Sequence, residues 1–173
     1  MKKYFSLMAI FAAMAMTFIG CSKDDNDTDS TENRLNFTNK LTQNSISCTW
    51  EGYNMAQRKE LGNWNDDGQK YAVMRFDRAT KEDIQGTGLL LYFENNYKDT
   101  FLEGSEFTWY FADDMLRISY RHSGWSPQYA EYRTQELVIN GDRFDGTWFE
   151  KTDFKYKFNY TKSAFSDWSK YIN

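Results

Sequence analysis

The chain has 173 residues, of which 27% are charged and 18% aromatic, and a formal net charge of −4. That length suits one domain with a core that needs no disulfide staples. The acidic balance speaks against a nucleic-acid partner, whose footprint is a basic surface, and against a polybasic contact with anionic lipid.

Lys2 and Lys3 precede an apolar run from Tyr4 to Ile19 that closes on the small residue Gly20. A basic start, a short apolar stretch and a small residue at the cut define a secretory signal peptide over residues 1–20. The run stops short of the ~20 residues that span a bilayer comfortably, which sets an uncleaved membrane anchor second. Removing Lys2 and Lys3 takes the formal charge from −4 to −6.

Phe18-Ile19-Gly20-Cys21 resembles the bacterial lipoprotein signal, with Phe18 where that signal usually has Leu. The resemblance implies that Cys21 is diacylated through its sulfur, and two chains hold a protein at a membrane where one does not. Ser22-Lys23-Asp24-Asp25 is similar to the acidic export signal that follows the lipidated cysteine in surface lipoproteins of the Bacteroidota. It implies an outer-membrane, surface-exposed location, with a periplasm-facing anchor as the alternative. On composition alone the same residues are a solvated acidic spacer.

Residues 21–44 are rich in Asp, Asn, Ser and Thr and read as a flexible tether that holds the domain away from the lipid, since they bury too little surface to offset chain entropy. Within them, Asp29-Ser30-Thr31 is similar to an O-glycosylation acceptor of the same bacterial group. Cys48 then stands without a partner, because Cys21 is assigned to lipid, and reads as a buried thiol.

From residue 45 to 173 the dominant period is two, the signature of half-buried strands. Ile46–Asn54 comes first, with Ile46, Cys48 and Trp50 on one face. Lys70–Arg78, Gly86–Glu94, Ser105–Ala112 and Met115–Arg121 follow, the last two as a hairpin around Asp113-Asp114. Tyr129–Ile139 turns through Asn140-Gly141 into Arg143–Glu150, and Phe154, Tyr156, Phe158 and Tyr160 alternate in the final strand. Ser163–Tyr171 reads as a short helix packing Phe165 and Trp168 against the end of the sheet. Pro127 sits in the Arg121–Tyr129 connection, where it costs no ladder hydrogen bond.

About eight consecutive antiparallel strands remove their exposed edges most simply by closing into a barrel. The expected fold is therefore all-β, an up-and-down meander closed into a roughly eight-stranded barrel with a short C-terminal helix. A β-sandwich burying the same faces is the alternative. The strand count, Trp50 and the aromatic meander over residues 45–162 resemble the lipocalin-like lipoproteins of that bacterial group. Trp50-Glu51-Gly52 reverses the Gly-x-Trp of lipocalins proper, so their ligand site does not carry over.

Chemistry-bearing motifs are sparse. His122 is the one histidine, with no Cys or His at ligand spacing, and no metal or cofactor is expected. Asn63-x-Asn65-x-Asp67-Gly68 matches the first half of a calcium loop, but its ninth and twelfth positions are Tyr71 and Met74. A turn explains those residues equally well. No nucleophile elbow and no phosphate loop occur, so catalysis is not expected; dispersed paired carboxylates form the third reading, which a pocket with two facing acids would favour.

What remains is aromatic. Trp50, Trp109 and Trp148 on the strands, and Trp64 and Trp125 in connections, are candidate ligand-binding residues, with core packing as the alternative role. The leading expectation is a lipid-anchored, non-catalytic barrel that admits a small apolar or sugar-like ligand at its open end. The competing one is a surface protein whose loops, Arg58-Lys59-Glu60 and Asn95–Gly104, engage another envelope protein or a host protein.

Overall fold

The computed structural model describes residues 27–112, 115–121 and 129–172; the side chains of 27–30, 120–136 and 150–151 are not described. A helix, α1 (Asp27–Leu41), leads into eight strands: β1 (Ser47–Glu60), β2 (Asn63–Asp77), β3 (Gln85–Phe93), β4 (Phe101–Ala112), β5 (Met115–Arg121), β6 (Tyr129–Asn140), β7 (Arg143–Lys151) and β8 (Phe154–Lys162). Each strand pairs antiparallel with the next, and β8 returns to pair with β1 from Trp50↔Lys162 to Arg58↔Phe154. The sheet is a closed barrel, and the sandwich alternative does not apply.

The period of two in the sequence is the inside–outside alternation of this wall. Cys48, Trp50 and Asn54 point inward from β1, Met74 and Phe76 from β2, Trp109 from β4, Phe144 and Trp148 from β7, and Phe158 and Tyr160 from β8. Ile46 does not join them; it lies before β1 and is exposed. Phe158 stacks on Trp148 across the gap left by Gly146, where a Cβ would come within 2.7 Å of the Phe158 ring.

The first half of the barrel departs from the expected strand ends. β1 and β2 run on past Asn54 to a two-residue turn at Leu61-Gly62, so Asn63–Gly68 is strand and not a loop. Both turn residues take positive φ, 51° at Leu61 and 86° at Gly62, as the tight turn matching strand twist demands. Leucine is not a turn residue, which is why this hairpin escapes a sequence search. The bulge at Met55/Gln57, opposite Gly68 at φ 106°, re-aims the outer part of the pair as an arm.

The tether expectation also needs correction. Its second half is α1, and the last turns of that helix stop one end of the barrel. Phe37 stacks on Phe111 at 4.2 Å, while Thr38, Leu41 and Thr42 are fully buried. The threonines can go inside because their hydroxyls donate to the Arg34 and Thr38 carbonyls one turn back, leaving methyl groups to pack. Trp50 Nε1 donates to the Leu41 carbonyl at 2.8 Å, a carbonyl orphaned at the helix end.

Arg78, 4% exposed, holds this plug in place. Its guanidinium donates to the Ser45 carbonyl, the Lys81 carbonyl and Asn39 Oδ1 at 2.7–2.9 Å, joining α1 to the α1–β1 and β2–β3 connections. Burial pulls the guanidinium pKa down from its ordinary value, and Glu82 and Asp83 oppose that. Arg78→Ala leaves those acceptors without a donor and should cost about 2–4 kcal/mol. Urea unfolding measures the loss, and Cys48 beneath the plug should become reactive toward thiol reagents before the barrel melts.

Candidate functional site

The strand tryptophans of the candidate set are buried in the core. Trp50, Trp109 and Trp148 are at most 4% exposed. Trp109 Nε1 is satisfied by the Thr87 carbonyl at 2.8 Å, as Trp50 is by Leu41. Trp64 lies on β2, half-buried, with Lys155 Nζ 4.2 Å above its ring. Cys21, Ser22, Lys23, Asp24 and Asp25, together with His122 and Trp125, lie outside the described residues. Asp29-Ser30-Thr31 falls in α1, where Thr31 is exposed.

At the barrel end opposite α1, Asn54 Nδ2 donates to the Tyr92 hydroxyl, and the Tyr160 hydroxyl donates to Asn54 Oδ1. Trp148 also hydrogen-bonds Tyr160. The space left there, among Asn54, Met74, Tyr92, Trp148 and Tyr156, is about 20 Å³. Among the described side chains that is room for about one water. Among the described residues, Asn54, Tyr92, Trp148 and Tyr160 thus form a polar network at this end of the barrel.

A larger concavity lies on the outside. After β8 the expected short C-terminal helix is a single 3-10 turn, Trp168–Lys170, in a segment that crosses the outer wall. The Ser163 amide donates to the Thr49 carbonyl on β1, Arg75 of β2 lies over the Trp168 ring at 5.1 Å, and Tyr171 meets Phe93 and Phe101. The crossing can hold because β2 and β3 turn Val73, Leu91 and Phe93 outward, and these form a second core with Trp168. Each such burial contributes about 1.5–3 kcal/mol.

Between this strap and the β3–β4 connection opens a groove of about 580 Å³. Tyr97, Phe165 and Tyr171 supply its rings; Glu51, Asp99 and Asp167 supply carboxylates. Tyr97 meets Phe165 edge-on at 5.8 Å. Ser163 Oγ donates to Glu51 Oε2 at 2.5 Å and accepts from the Phe165 amide, so one hydroxyl fixes both the acid and the start of the strap. Tyr71 hydrogen-bonds the same carboxylate. Asn95 and the Thr100 amide donate to Asp99 and hold its carboxyl below the ordinary range. Asp167 pairs with Lys170 at 3.7 Å, both well exposed.

Of these residues the sequence reading singled out only Phe165, and that for packing; Tyr97 fell inside a connection noted for a different role. Glu51 looked like any solvent-facing strand residue, because its importance comes from a chain segment more than 100 positions away. Among the described residues no group of His, Cys, Asp and Glu is arranged to hold a metal ion. The chain matches no family model and no curated protein sequence.

Among the described residues, three groups bind their protons more tightly in the fold. Burial raises the Cys48 thiol from 9.0 to about 11. Burial, then the charge and hydrogen bond of Glu51, raise the Tyr71 phenol above its ordinary 10.0. Burial does the same to Tyr160, against hydrogen bonds from Trp148 and Asn54. Raised values mean stability that is complete below the unfolded pKa and is lost above it. Urea midpoints should therefore hold up to about pH 9 and fall steadily from there through pH 11. A midpoint unchanged to pH 11 would contradict the assignment.

Proposed function

We propose that this is a non-catalytic envelope lipoprotein, anchored through lipid on Cys21 at the outer membrane and displayed outward, whose ligand is sugar-like and binds the outer groove. The supporting observation is a single concavity of about 580 Å³ that combines Tyr97, Phe165 and Tyr171 with Glu51, Asp99 and Asp167. That volume falls within the roughly 300–1,000 Å³ range of small-molecule sites. A sugar ring has an apolar C–H face and a rim of hydroxyl donors. Aromatic rings suit the face, and fixed carboxylates suit the rim. An apolar ligand would strip water from those carboxylates and offer them no hydroxyl in its place.

Three acids in one groove also invite the hydrolase reading. Glycoside hydrolysis needs one carboxyl kept protonated as general acid. Asp99 is shifted the opposite way, Asp167 faces Lys170, and Glu51 already accepts from Tyr71 and Ser163. Such acids serve as hydrogen-bond acceptors for hydroxyls, which favours holding a sugar over cleaving it.

One experiment tests both halves of the proposal. In membrane fractions, Cys21→Ser should move the protein into the soluble fraction. In titrations of purified domain with oligosaccharides, Tyr97→Ala should weaken binding about tenfold while the interior change Trp148→Phe leaves it unchanged. Membrane retention of Cys21→Ser, or sugar binding indifferent to Tyr97→Ala, would overturn the corresponding half.

A second reading, a protein partner engaged by loops, is favoured by one feature. Leu61 at the tip of the β1–β2 arm is fully exposed and holds a left-handed conformation that costs a leucine roughly 1 kcal/mol. Neighbouring Arg58 reaches Asp67 at 3.3 Å and lies over the Phe154 ring, which stiffens the arm behind the tip. Leu61→Asn should raise the urea midpoint, since Asn-Gly is the preferred pair for this turn. On this reading it should also reduce cross-linking of the protein to envelope neighbours on cells; a midpoint that drops would remove the strain on which the reading stands.

A further inference from the structure

The groove does not end at the strap. From Phe165 and Tyr97 the aromatic contacts continue along the outer face of the barrel: Tyr97 to Tyr71 at 6.5 Å, then Tyr71 to Tyr53 at 5.1 Å. Tyr53 is 41% exposed and Met55, two residues on along β1 and on the same face, is 42% exposed. Glu51, on that face too, stands where the groove gives way to the row, its carboxylate held by Tyr71 and Ser163. Tyr53 and Met55 thus stand open to solvent at the far end of a row whose other rings, Tyr71, Tyr97 and Phe165, are half-buried against the second core.

Resting on the groove reading above, we infer that the ligand is one linear oligosaccharide, seated at one end on Tyr97 and Phe165 and running over Tyr71 and Tyr53 toward Met55. A groove alone would take a sugar or two; the row adds further subsites in line with it. The rings are not coplanar: successive interplanar angles are 67°, 50° and 83°. A flat crystalline polysaccharide face needs coplanar rings, whereas a single twisted chain can meet rings that rotate along its path. The groove lining sets Lys98 and Lys170 against Glu51, Asp99 and Asp167, a near balance of charge that offers an acidic sugar no net attraction and favours a neutral one.

Calorimetry with neutral cello-, xylo- and chito-oligosaccharides, each from disaccharide to hexasaccharide, tests this. Affinity for the recognised series should climb with chain length. Tyr53→Ala should weaken the hexasaccharide about three- to tenfold and leave the disaccharide unchanged, whereas Tyr97→Ala should weaken both. Binding that is independent of length, or that Tyr97→Ala lowers and Tyr53→Ala does not, overturns the extended site and leaves the groove standing. If no member of any series binds, the groove reading falls and this inference with it.

Discussion

An eight-stranded barrel has an interior only just wide enough for side chains to fill. Here it is filled with rings. Trp50, Phe76, Trp109, Phe144, Trp148, Phe158 and Tyr160 are all at most 4% exposed, and Phe144 touches five other aromatic rings. Aromatic pairs at such distances contribute about 0.5–1.5 kcal/mol each beyond their buried area. Once that space is spent on stability, the proposed recognition falls to the outer wall, where the parts added outside the barrel shape the groove.

Two additions do this. Helix α1 closes one end, so the core behind Trp50 is sealed by Leu41 and Phe37 and not by solvent. The strap at 163–172 covers outward apolar residues of β2 and β3 and, in doing so, builds one wall of the groove. The same segment thus supplies both stability and shape. Because Ser163 fixes Glu51 and receives the Phe165 amide, strap position and acid orientation are coupled through one hydroxyl.

How much of this could be read in advance divides along one physical line. Strand periodicity is local and survives in the sequence, so the closed meander and all eight strand positions follow from residues such as Phe107, Trp109 and Phe111. Features set by distant packing do not. Thr38 and Thr42 look polar on paper, and only their back-bonding to the preceding turn makes them core residues. Leu61 gives no turn signal, so the pattern alone ends β1 and starts β2 short of the hairpin and leaves Trp64 in a connection. The double burial of β3, with Leu90 inside and Leu91 outside, is visible as an unbroken Leu89-Leu90-Leu91 run, but nothing local says what covers the second face.

The tether changes meaning once α1 is placed. A polar stretch from Cys21 to Asn44 would let a domain drift well away from its anchor. With α1 starting at Asp27, only five residues lie between it and Cys21, at most about 20 Å of extended chain. On the proposed lipid attachment, the start of α1 stays near the membrane, and α1 ends in the plugged end of the barrel. The Leu61 arm springs from the opposite end, and the groove and Tyr53 row lie along the side wall. Anchoring through a docked helix therefore does more than retain the protein. On that reading it limits how far the domain can wander from the bilayer, and among the described residues the groove and the Leu61 arm lie away from the plugged end.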